Sequence, residues 1–298
     1  MQLPSQLVLS LLAFLPSIYS LPAKHSEIFY SDAFARKYVL HICAATETKR
    51  PETCLGQVFS NFTVKRQITV NCDVIPTLDT CSGYSAVSHD QKAIILAFRG
   101  TIGDPELFIE SYETVFKDRT PWPAGGVVGS YFYNSFMKIV NAGMKDDIIF
   151  LINKYPNYEI WCMGHSLGGA MASLSASWLV TNKLADSHLI RMITFGQPRT
   201  GNKEYADAHD KMIPYKYRIT HHRDPIPHLP VDGLEGYHHH LAEIFYNNDM
   251  TQPDYIECDE QEGLACSDGH LDNNQFTDHV FYFNIHVETW GMANCPQK

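Results

Sequence analysis

The chain has 298 residues, of which 45% are hydrophobic and 12% aromatic, so it has enough apolar surface to fold and is not intrinsically disordered. Its 23 Lys and Arg residues are outnumbered by 33 Asp and Glu residues, which gives a formal charge of −10. Because binding to nucleic acid requires a basic face and no Lys/Arg run is visible, this charge excludes a nucleic-acid partner and favours a neutral or apolar one.

The amino terminus predicts export. An apolar run from Leu7 to Leu15 is followed by Pro16 and by small residues up to Ser20, which is the layout of a signal peptide, so we expect residues 1–20 to be removed. No later segment has eighteen consecutive apolar residues, and no transmembrane anchor is predicted. The sequence therefore predicts a secreted, extracellular protein. Since neither a repeat nor a linker divides residues 21–298, we expect them to form a single domain.

Export gives the eight cysteines a meaning, because thiols form disulfides in an oxidising compartment. Local spacing favours two pairs that each close a short polar loop: Cys72 with Cys81, and Cys258 with Cys266. Cys162 lies in an apolar run, which suits a free thiol in the core. The sequon Asn61-Phe62-Thr63 predicts a glycosylated surface loop at Asn61.

Apolar periodicity predicts helices that alternate with strands along the chain. The predicted helices are residues 31–43, 134–152 and 170–184. The predicted strands are residues 92–98, 158–163, 189–195 and 215–220. Such alternation predicts an α/β fold in which a mainly parallel sheet is flanked by helices on both faces and binds its ligands at the carboxyl ends of the strands.

The sequence Gly-His-Ser-Leu-Gly-Gly at residues 164–169 lies at one such carboxyl end, between a predicted strand and a predicted helix. In this context GxSxG is typical of a nucleophile elbow, in which two glycines allow a sharp turn that exposes the hydroxyl of Ser166. The backbone N–H of Leu167 would then face the oxygen of an acyl group, where the helix amino terminus adds positive charge. A tight turn without chemistry is the alternative.

A serine nucleophile needs a histidine base and a carboxylate that orients this base, in the chain order Ser, acid, His. We predict Asp224 as the acid, because it follows the strand at 215–220 in a loop that three prolines stiffen. Three other carboxylates are rivals by position, and exposure to solvent is the better interpretation for each of them: Asp207, Asp210 and Asp232.

Many of the 15 histidines lie downstream of the predicted acid. His279 is the predicted base, since it precedes an apolar segment near the end of the chain and would lie on a loop that packs against the core. The run from His238 to His240 suggests a metal site instead. However, consecutive residues of a strand alternate faces, and no Cys or carboxylate stands beside this run at ligand spacing. We therefore predict neither a metal nor an organic cofactor.

The chain resembles the class 3 lipases, a family of secreted α/β-hydrolases from fungi and animals, over most of its length. Besides the elbow, four motifs carry this resemblance in family order: FRGT at 98–101, TFGQPRTGN at 194–202, RDPIPHLP at 223–230 and DHVFYF at 278–283. The resemblance implies Ser166 as nucleophile, Asp224 as acid and His279 as base. It also implies an oxyanion hole formed by Thr101 and Leu167.

The resemblance further implies a lid at about 102–117 that covers the site in water and exposes apolar surface at a lipid interface. Leu107, Phe108 and Tyr112 lie on one helical face of this segment and are the predicted substrate-contacting residues. An ordinary surface helix is the alternative. Around residues 125–132 the chain departs from the family pattern, so a chain-length preference cannot be carried over.

By position, Cys43 and Cys295 resemble a family disulfide that ties the first helix to the carboxyl terminus. This pairing leaves Cys54 without an obvious partner other than Cys162.

The expected function is hydrolysis of lipid carboxylic esters, with triacylglycerol as the first choice, by a monomer that contacts the oil–water interface transiently. Phospholipase A1 activity or hydrolysis of water-soluble esters is the alternative, because head-group choice depends on the lid and the groove. A non-catalytic lipid-binding protein and a metal-binding role of the histidines are the two other classes that we consider.

Overall fold

A computed structural model describes residues 29–72, 80–100, 116–271 and 275–297. The predicted signal peptide, residues 1–20, lies outside the described residues. The strands are β1 (Phe62–Asn71), β2 (Thr80–Ser88), β3 (Ala93–Phe98), β4 (Arg119–Pro121), β5 (Val127–Gly129), β6 (Glu159–His165), β7 (Ile190–Phe195), β8 (Gly201–Asn202), β9 (Tyr215–His221), β10 (Tyr237–His238), β11 (Glu243–Tyr246), β12 (Ile256–Cys258), β13 (Phe281–Tyr282) and β14 (Ile285–His286). The α-helices are α1 (Asp32–Phe34), α2 (Leu40–Ala44), α3 (Pro51–Leu55), α4 (Ser130–Ile139), α5 (Lys145–Lys154), α6 (Leu167–Thr181), α7 (Lys203–Met212), α8 (Phe276–Val280) and α9 (Val287–Met292).

The main sheet has, among the described residues, eight strands in the order β1-β2-β3-β6-β7-β9-β11-β12. The strands β3, β6, β7, β9 and β11 run parallel, whereas β1 and β2 at one edge and β12 at the other are antiparallel to their neighbours. This arrangement confirms the predicted mainly parallel sheet. The carboxyl ends of the parallel strands meet along one edge, where an α/β protein places its site.

Helices cover both faces of the sheet. Ile94 and Leu96 of β3 pack in an apolar cluster with residues of α4, α5 and α6. The alternate residues Ile95 and Ala97 pack in a second cluster with residues of α2 and α9. All six residues of β3 are buried, because successive side chains of a strand point to opposite faces and each face here has a cover.

The predicted helix at 134–152 is interrupted. After α4 ends at Ile139, a π-helical turn runs from Val140 to Met144, and α5 begins at Lys145. Within this turn Gly143 has a φ of 126°, and a β-carbon at this position would overlap the guanidinium of Arg66. The guanidinium can move aside, but glycine adopts this positive φ at little cost, so Gly143 breaks the helical repeat that the apolar pattern predicts.

Three disulfides join described residues. The bonds Cys72–Cys81 and Cys258–Cys266 agree with the two short loops that the spacing predicts. The pairing of Cys43 with Cys295 is wrong, because Cys295 is bonded to Cys54, with 5.1 Å between the Cα atoms.

The two remaining cysteines, Cys43 and Cys162, are free and buried. Cys43 lies on α2 within the apolar cluster, where burial raises the pKa of its thiol. Burial raises the pKa of Cys162 to about 12, and its Sγ lies 3.7 Å from Oγ of Ser175.

The predicted glycosylation site Asn61 is exposed and lies directly before β1, and its backbone N–H donates to Oδ2 of Asp90 at 2.8 Å. No helix among the described residues is long and apolar enough to cross a membrane.

Candidate active site

Ser166 lies at the junction of β6 and α6, with a φ of 58° that side chains rarely adopt. The turn is held by the backbone N–H of Ser166, which donates to the carbonyl of Phe195 at 2.8 Å. A β-carbon on Gly164 would overlap the backbone of Gly168, and one on Gly168 would overlap the carbonyl of Phe98. Gly164 therefore permits β6 and α6 to approach closely, and Gly168 permits the same of α6 and β3. This close packing holds Ser166 in its strained conformation.

The structure brings Asp224 and His279 together, with 2.8 Å between Oδ2 of Asp224 and Nδ1 of His279. Their side chains are 1% and 2% exposed. Asp224 follows β9, and its Oδ1 accepts the backbone N–H of Ile226 at 2.9 Å. His279 lies in α8, and Tyr282 donates its hydroxyl to Oδ2 of Asp224 at 3.3 Å. The carboxylate is thus held by groups from two segments of the chain.

The electrostatics of this pair favour an ionised carboxylate. Burial by itself raises the pKa of Asp224, but the adjacent His279 and the N–H of Ile226 outweigh it and hold this pKa below its ordinary value. A carboxylate only accepts hydrogen bonds, so Nδ1 of His279 carries the proton and Nε2 keeps its lone pair. This is the tautomer that a general base requires.

His165, the residue before Ser166, contacts the backbone of His279. Its Nε2 lies 2.7 Å from the backbone carbonyl of His279, to which it donates, and the two rings are 4.6 Å apart. Burial, reinforced by the neighbouring His279, lowers the pKa of His165 to about 3. His165 is therefore neutral near pH 7. Sequence reasoning missed its contribution, although it lies within the GxSxG motif.

Gly196 lies against both Asp224 and His279. It follows β7 with a φ of 55°, and its backbone N–H donates to the carbonyl of Ile219 at 3.0 Å. The FGQP sequence around it is a signal that could have pointed to this close approach. Sequence reasoning also missed Tyr282, which the motif DHVFYF contains.

The other predicted site residues have different fates. Leu167 is the first residue of α6 and is buried, so its N–H belongs to the helix amino terminus. Thr101 lies outside the described residues. The same is true of the greater part of the predicted lid at 102–117, which includes the predicted substrate-contacting residues Leu107, Phe108 and Tyr112.

The rival carboxylates are paired elsewhere. Oδ1 of Asp207 lies 2.8 Å from Nζ of Lys203. Oδ1 of Asp232 lies 3.1 Å from Nδ1 of His238. Asp210 accepts the N–H of Leu241 at 2.9 Å, and its side chain is only 11% exposed, so the predicted exposure to solvent is wrong for this residue. Of these four candidate acids, Asp224 is the one that contacts His279.

Two groups of metal-ligating side chains meet in the described part of the chain: His209 with Asp210 and His240, and Asp232 with His238 and Glu262. The rings of His209 and His240 are stacked 4.3 Å apart at 17°. Because an imidazole binds a metal in its own plane, two nearly parallel, stacked rings cannot share one ion. In the second group the carboxylate of Glu262 already accepts hydrogen bonds from Nε and Nη2 of Arg199, at 3.0 and 2.6 Å. Of the two carboxylates beside His238, Asp232 lies six residues earlier in the chain, whereas Glu262 comes from a later segment. The expectation that no carboxylate stands beside the histidine run is therefore wrong for His238.

A strand–serine–helix turn on a parallel sheet, with a buried Asp–His pair beside it, defines an α/β-hydrolase. The family model of class 3 lipases matches residues 95–234. A lipase of Caenorhabditis elegans is 33% identical, over 89% of this chain and 83% of its own. A secreted mono- and diacylglycerol lipase of Penicillium cyclopium is 28% identical, over 74% and 72%. A crystal structure of a lipase from Rhizopus microsporus var. chinensis matches with a TM-score of 0.75 at 26% identity, over 95% of this chain and 96% of the other.

The chain therefore belongs to the class 3 lipase family. The family and the fold make the protein a carboxylic ester hydrolase of the lipase type.

Proposed function

We propose that this protein hydrolyses lipid esters, triacylglycerols first among them, with Ser166 as nucleophile, His279 as base and Asp224 as acid. The observation that carries the proposal is the contact of 2.8 Å between the buried side chains of Asp224 and His279, beside the strained turn of Ser166. A buried carboxylate that fixes the tautomer of an imidazole is the arrangement that converts a serine hydroxyl into a nucleophile.

In this mechanism Nε2 of His279 removes the proton of the Ser166 hydroxyl as Oγ attacks the ester carbonyl. The resulting imidazolium, stabilised by the Asp224 carboxylate, then protonates the departing alcohol and leaves an acyl group on Ser166. His279 next activates a water molecule, which attacks the acyl group and releases the fatty acid. His165 does not compete for the proton, since its pKa is about 3.

The tetrahedral intermediate carries an oxyanion that needs hydrogen-bond donors. We assign one donor to the backbone N–H of Leu167, at the amino terminus of the 15-residue helix α6. We assign the second to Thr101 from the sequence motif FRGT. Each donor is expected to contribute about 3 kcal/mol to transition-state stabilisation.

Triacylglycerol is the proposed substrate, and the relative from Penicillium cyclopium, whose name gives mono- and diacylglycerols as substrates, supports glycerol esters as the class. We further propose that residues 102–117 form a lid and that the protein contacts the lipid interface transiently as a monomer. Secretion after removal of residues 1–20 is supported by the three disulfides, which suit an oxidising compartment.

The test of the mechanism is the substitution Ser166→Ala. The control is Ser187→Ala, which lies just before β7, at the amino end of that strand and away from the carboxyl end where Ser166 lies. We expect Ser166→Ala to abolish ester hydrolysis and labelling by an organophosphonate, while circular dichroism shows a folded protein. Ser187→Ala should still hydrolyse the ester and be labelled by the organophosphonate. Full activity of Ser166→Ala would overturn the mechanism.

The substrate is tested by comparing rates on emulsified triolein, phosphatidylcholine vesicles and a short soluble ester. A higher rate on triolein supports the proposed lipase activity. A higher rate on phosphatidylcholine, with release of the sn-1 acyl chain, would replace it by phospholipase A1. A preference for the soluble ester would instead define an esterase.

A further inference from the structure

The carboxylate of Asp278 links the segment that carries His279 to the segment that carries Asp224. Oδ2 of Asp278 accepts the backbone N–H of Arg223 at 3.1 Å. The same oxygen lies 3.3 Å from Nδ1 of His222. Arg223 directly precedes Asp224, and Asp278 directly precedes His279. The carboxylate of Asp278 therefore joins the chain next to the candidate acid to the chain next to the candidate base.

The backbone of Asp278 makes a second link. Its carbonyl oxygen lies 2.9 Å from Nδ1 of His221, the last residue of β9. The other ring nitrogen of His221 lies 2.9 Å from the carbonyl oxygen of Asn248, in the segment after β11. The imidazole of His221 thus lies between the peptide bond that enters His279 and the segment that follows β11.

A third link lies one turn earlier. The backbone N–H of Gln275 donates to the carbonyl of Arg223 at 2.9 Å, and the N–H of Asp278 donates to the carbonyl of Gln275 at 3.1 Å. Three consecutive residues, 221 to 223, are therefore each in contact with the segment 275–278. We call this set of contacts the acid–base junction.

Such a junction is needed because Asp224 and His279 are separated by 55 residues in the sequence. No local turn fixes their separation, so the 2.8 Å contact depends on bonds between the two segments. Displacing a catalytic group by about 1 Å can lower a rate on the order of a hundredfold.

We propose that Asp278 is a positioning residue, which holds His279 in register with Asp224 through His222 and the backbone of Arg223. This inference rests on the proposed roles of Asp224 and His279 and adds a residue that acts through them. Asp278 touches neither Ser166 nor the ester in this proposal.

The surroundings of the carboxylate allow a clean test. The side chains of Asp278 and His222 are 15% and 34% exposed. They border a solvent-open cavity of about 450 Å³, which Asn247, Asn248 and Phe281 also line. Removing the carboxylate leaves a space that water can enter and creates no apolar void, so the variant is expected to fold.

The experiment compares Asp278→Ala with Asp278→Asn in the full-length protein. The Asn side-chain oxygen still accepts the N–H of Arg223, whereas Ala accepts nothing. Initial rates on a soluble ester give kcat and KM, and the concentration of active sites comes from titration with an organophosphonate, so unfolded protein is not counted. We expect Asp278→Ala to lower kcat roughly 30-fold with KM changed less than about twofold, and Asp278→Asn to restore kcat to within about fivefold of wild type.

The rate of phosphonate labelling provides a second readout, since it also requires His279 to accept the Ser166 proton. It should fall in Asp278→Ala by about the same factor as kcat. The matched control is Asp232→Ala, which removes the carboxylate of another His–Asp pair, the one with His238 at 3.1 Å. It should leave kcat, KM and labelling unchanged.

Each outcome decides the matter. A kcat of Asp278→Ala within twofold of wild type overturns the proposal, as does an equal loss in Asp278→Asn and Asp278→Ala, because the N–H acceptor would then be irrelevant. A rise in KM at constant kcat also overturns it. These results differ from failure of the proposed function, in which wild type is not labelled or Ser166→Ala stays active.

Discussion

Gly196 and His279 are in such close contact that no side chain fits between them. A β-carbon on Gly196 would lie 2.8 Å from both Nδ1 and Cε1 of His279 and 2.8 Å from Oδ2 of Asp224. The hydrogen bond between Asp224 and His279 therefore lies directly against the backbone of Gly196, where a side chain would displace it. This explains why glycine stands in the FGQP segment.

The substitution Gly196→Ala should lower kcat by at least about a hundredfold, because the new methyl group separates Asp224 from His279. The control is Gly233→Ala. Gly233 also has a positive φ, 72°, but a β-carbon there would meet nothing within 4 Å. Alanine at a positive φ strains the backbone by about 1 kcal/mol in both variants. A loss of activity in Gly196→Ala alone therefore comes from the contact of the methyl group with Asp224 and His279. Equal activities of the two variants would contradict the assignment.

Asp224→Asn should lower kcat by about 10³- to 10⁴-fold, since an amide can donate to Nδ1 and thereby select the wrong tautomer of His279. The measurement is kcat on a soluble ester, with Asp207→Asn as control. Asp207 is an exposed partner of Lys203 and lies outside the site. An active Asp224→Asn enzyme would return the rivals Asp207, Asp210 and Asp232 to consideration.

Tyr282→Phe removes one donor from the Asp224 carboxylate at 3.3 Å. Burial, followed by the nearby Asp224, raises the pKa of Tyr282 well above its ordinary value, so the hydroxyl stays protonated and donates. We expect the free energy of unfolding to fall by about 1.5–3 kcal/mol and kcat by roughly tenfold at most. Tyr205→Phe, which breaks a buried bond of 2.7 Å to Ser173, is the matched control. It should reduce stability without changing kcat.

Four buried histidines make stability depend on pH. Burial lowers the pKa of each of them in the folded protein: His165, His209, His239 and His240. Below about pH 6.5 these four histidines bind protons in the unfolded chain but not in the folded protein, so together they lower the free energy of unfolding as the pH falls. Glu47 opposes them in this window, because burial raises its pKa to about 8. Each histidine contributes up to about 1.4 kcal/mol per pH unit in this window.

This slope is measured by urea unfolding between about pH 7 and pH 5. Asp224, whose pKa is lowered, loses its contribution only below about pH 4 and does not overlap this window. His209→Gln should reduce the slope whatever it does to stability at neutral pH. Parallel curves for wild type and variant would show that His209 accepts a proton in the folded state.

The bond between Cys54 and Cys295 closes a loop with a sequence separation of 241 residues. Cys295→Ser should lower the free energy of unfolding by about 2–5 kcal/mol, because the unfolded chain gains freedom. Cys43→Ala, at a free cysteine, is the control and loses only the packing of one sulfur. Alkylation after denaturation, read by mass spectrometry, should modify Cys43 and Cys162 alone. A labelled Cys54 would contradict the pairing.

The sequence was most informative where local chemistry determines geometry. The glycines around Ser166 predict a strand–turn–helix, and β6 and α6 meet there. Asp224 was selected by its place after a strand, and it is the candidate acid that contacts His279. These inferences need only neighbouring residues and the rule that parallel strands end at one edge.

Other features depend on segments distant in sequence and could not be predicted in the same way. The long strand β1 pairs antiparallel with β2, but only one of its ten residues is buried, so no buried run marks it. The bond from His165 to the carbonyl of His279 joins residues 114 positions apart. The choice of Cys54 over Cys43 depends on how α3 lies against the carboxyl terminus, which no spacing rule contains.

The Cys54–Cys295 bond also changes the topology of the covalent structure. Together with the backbone it makes one closed ring that contains the strands of the main sheet, Ser166, Asp224 and His279. A single cut by a protease at any exposed loop within this ring opens it but releases no fragment. The nicked molecule remains one covalent unit until a reductant separates its two pieces.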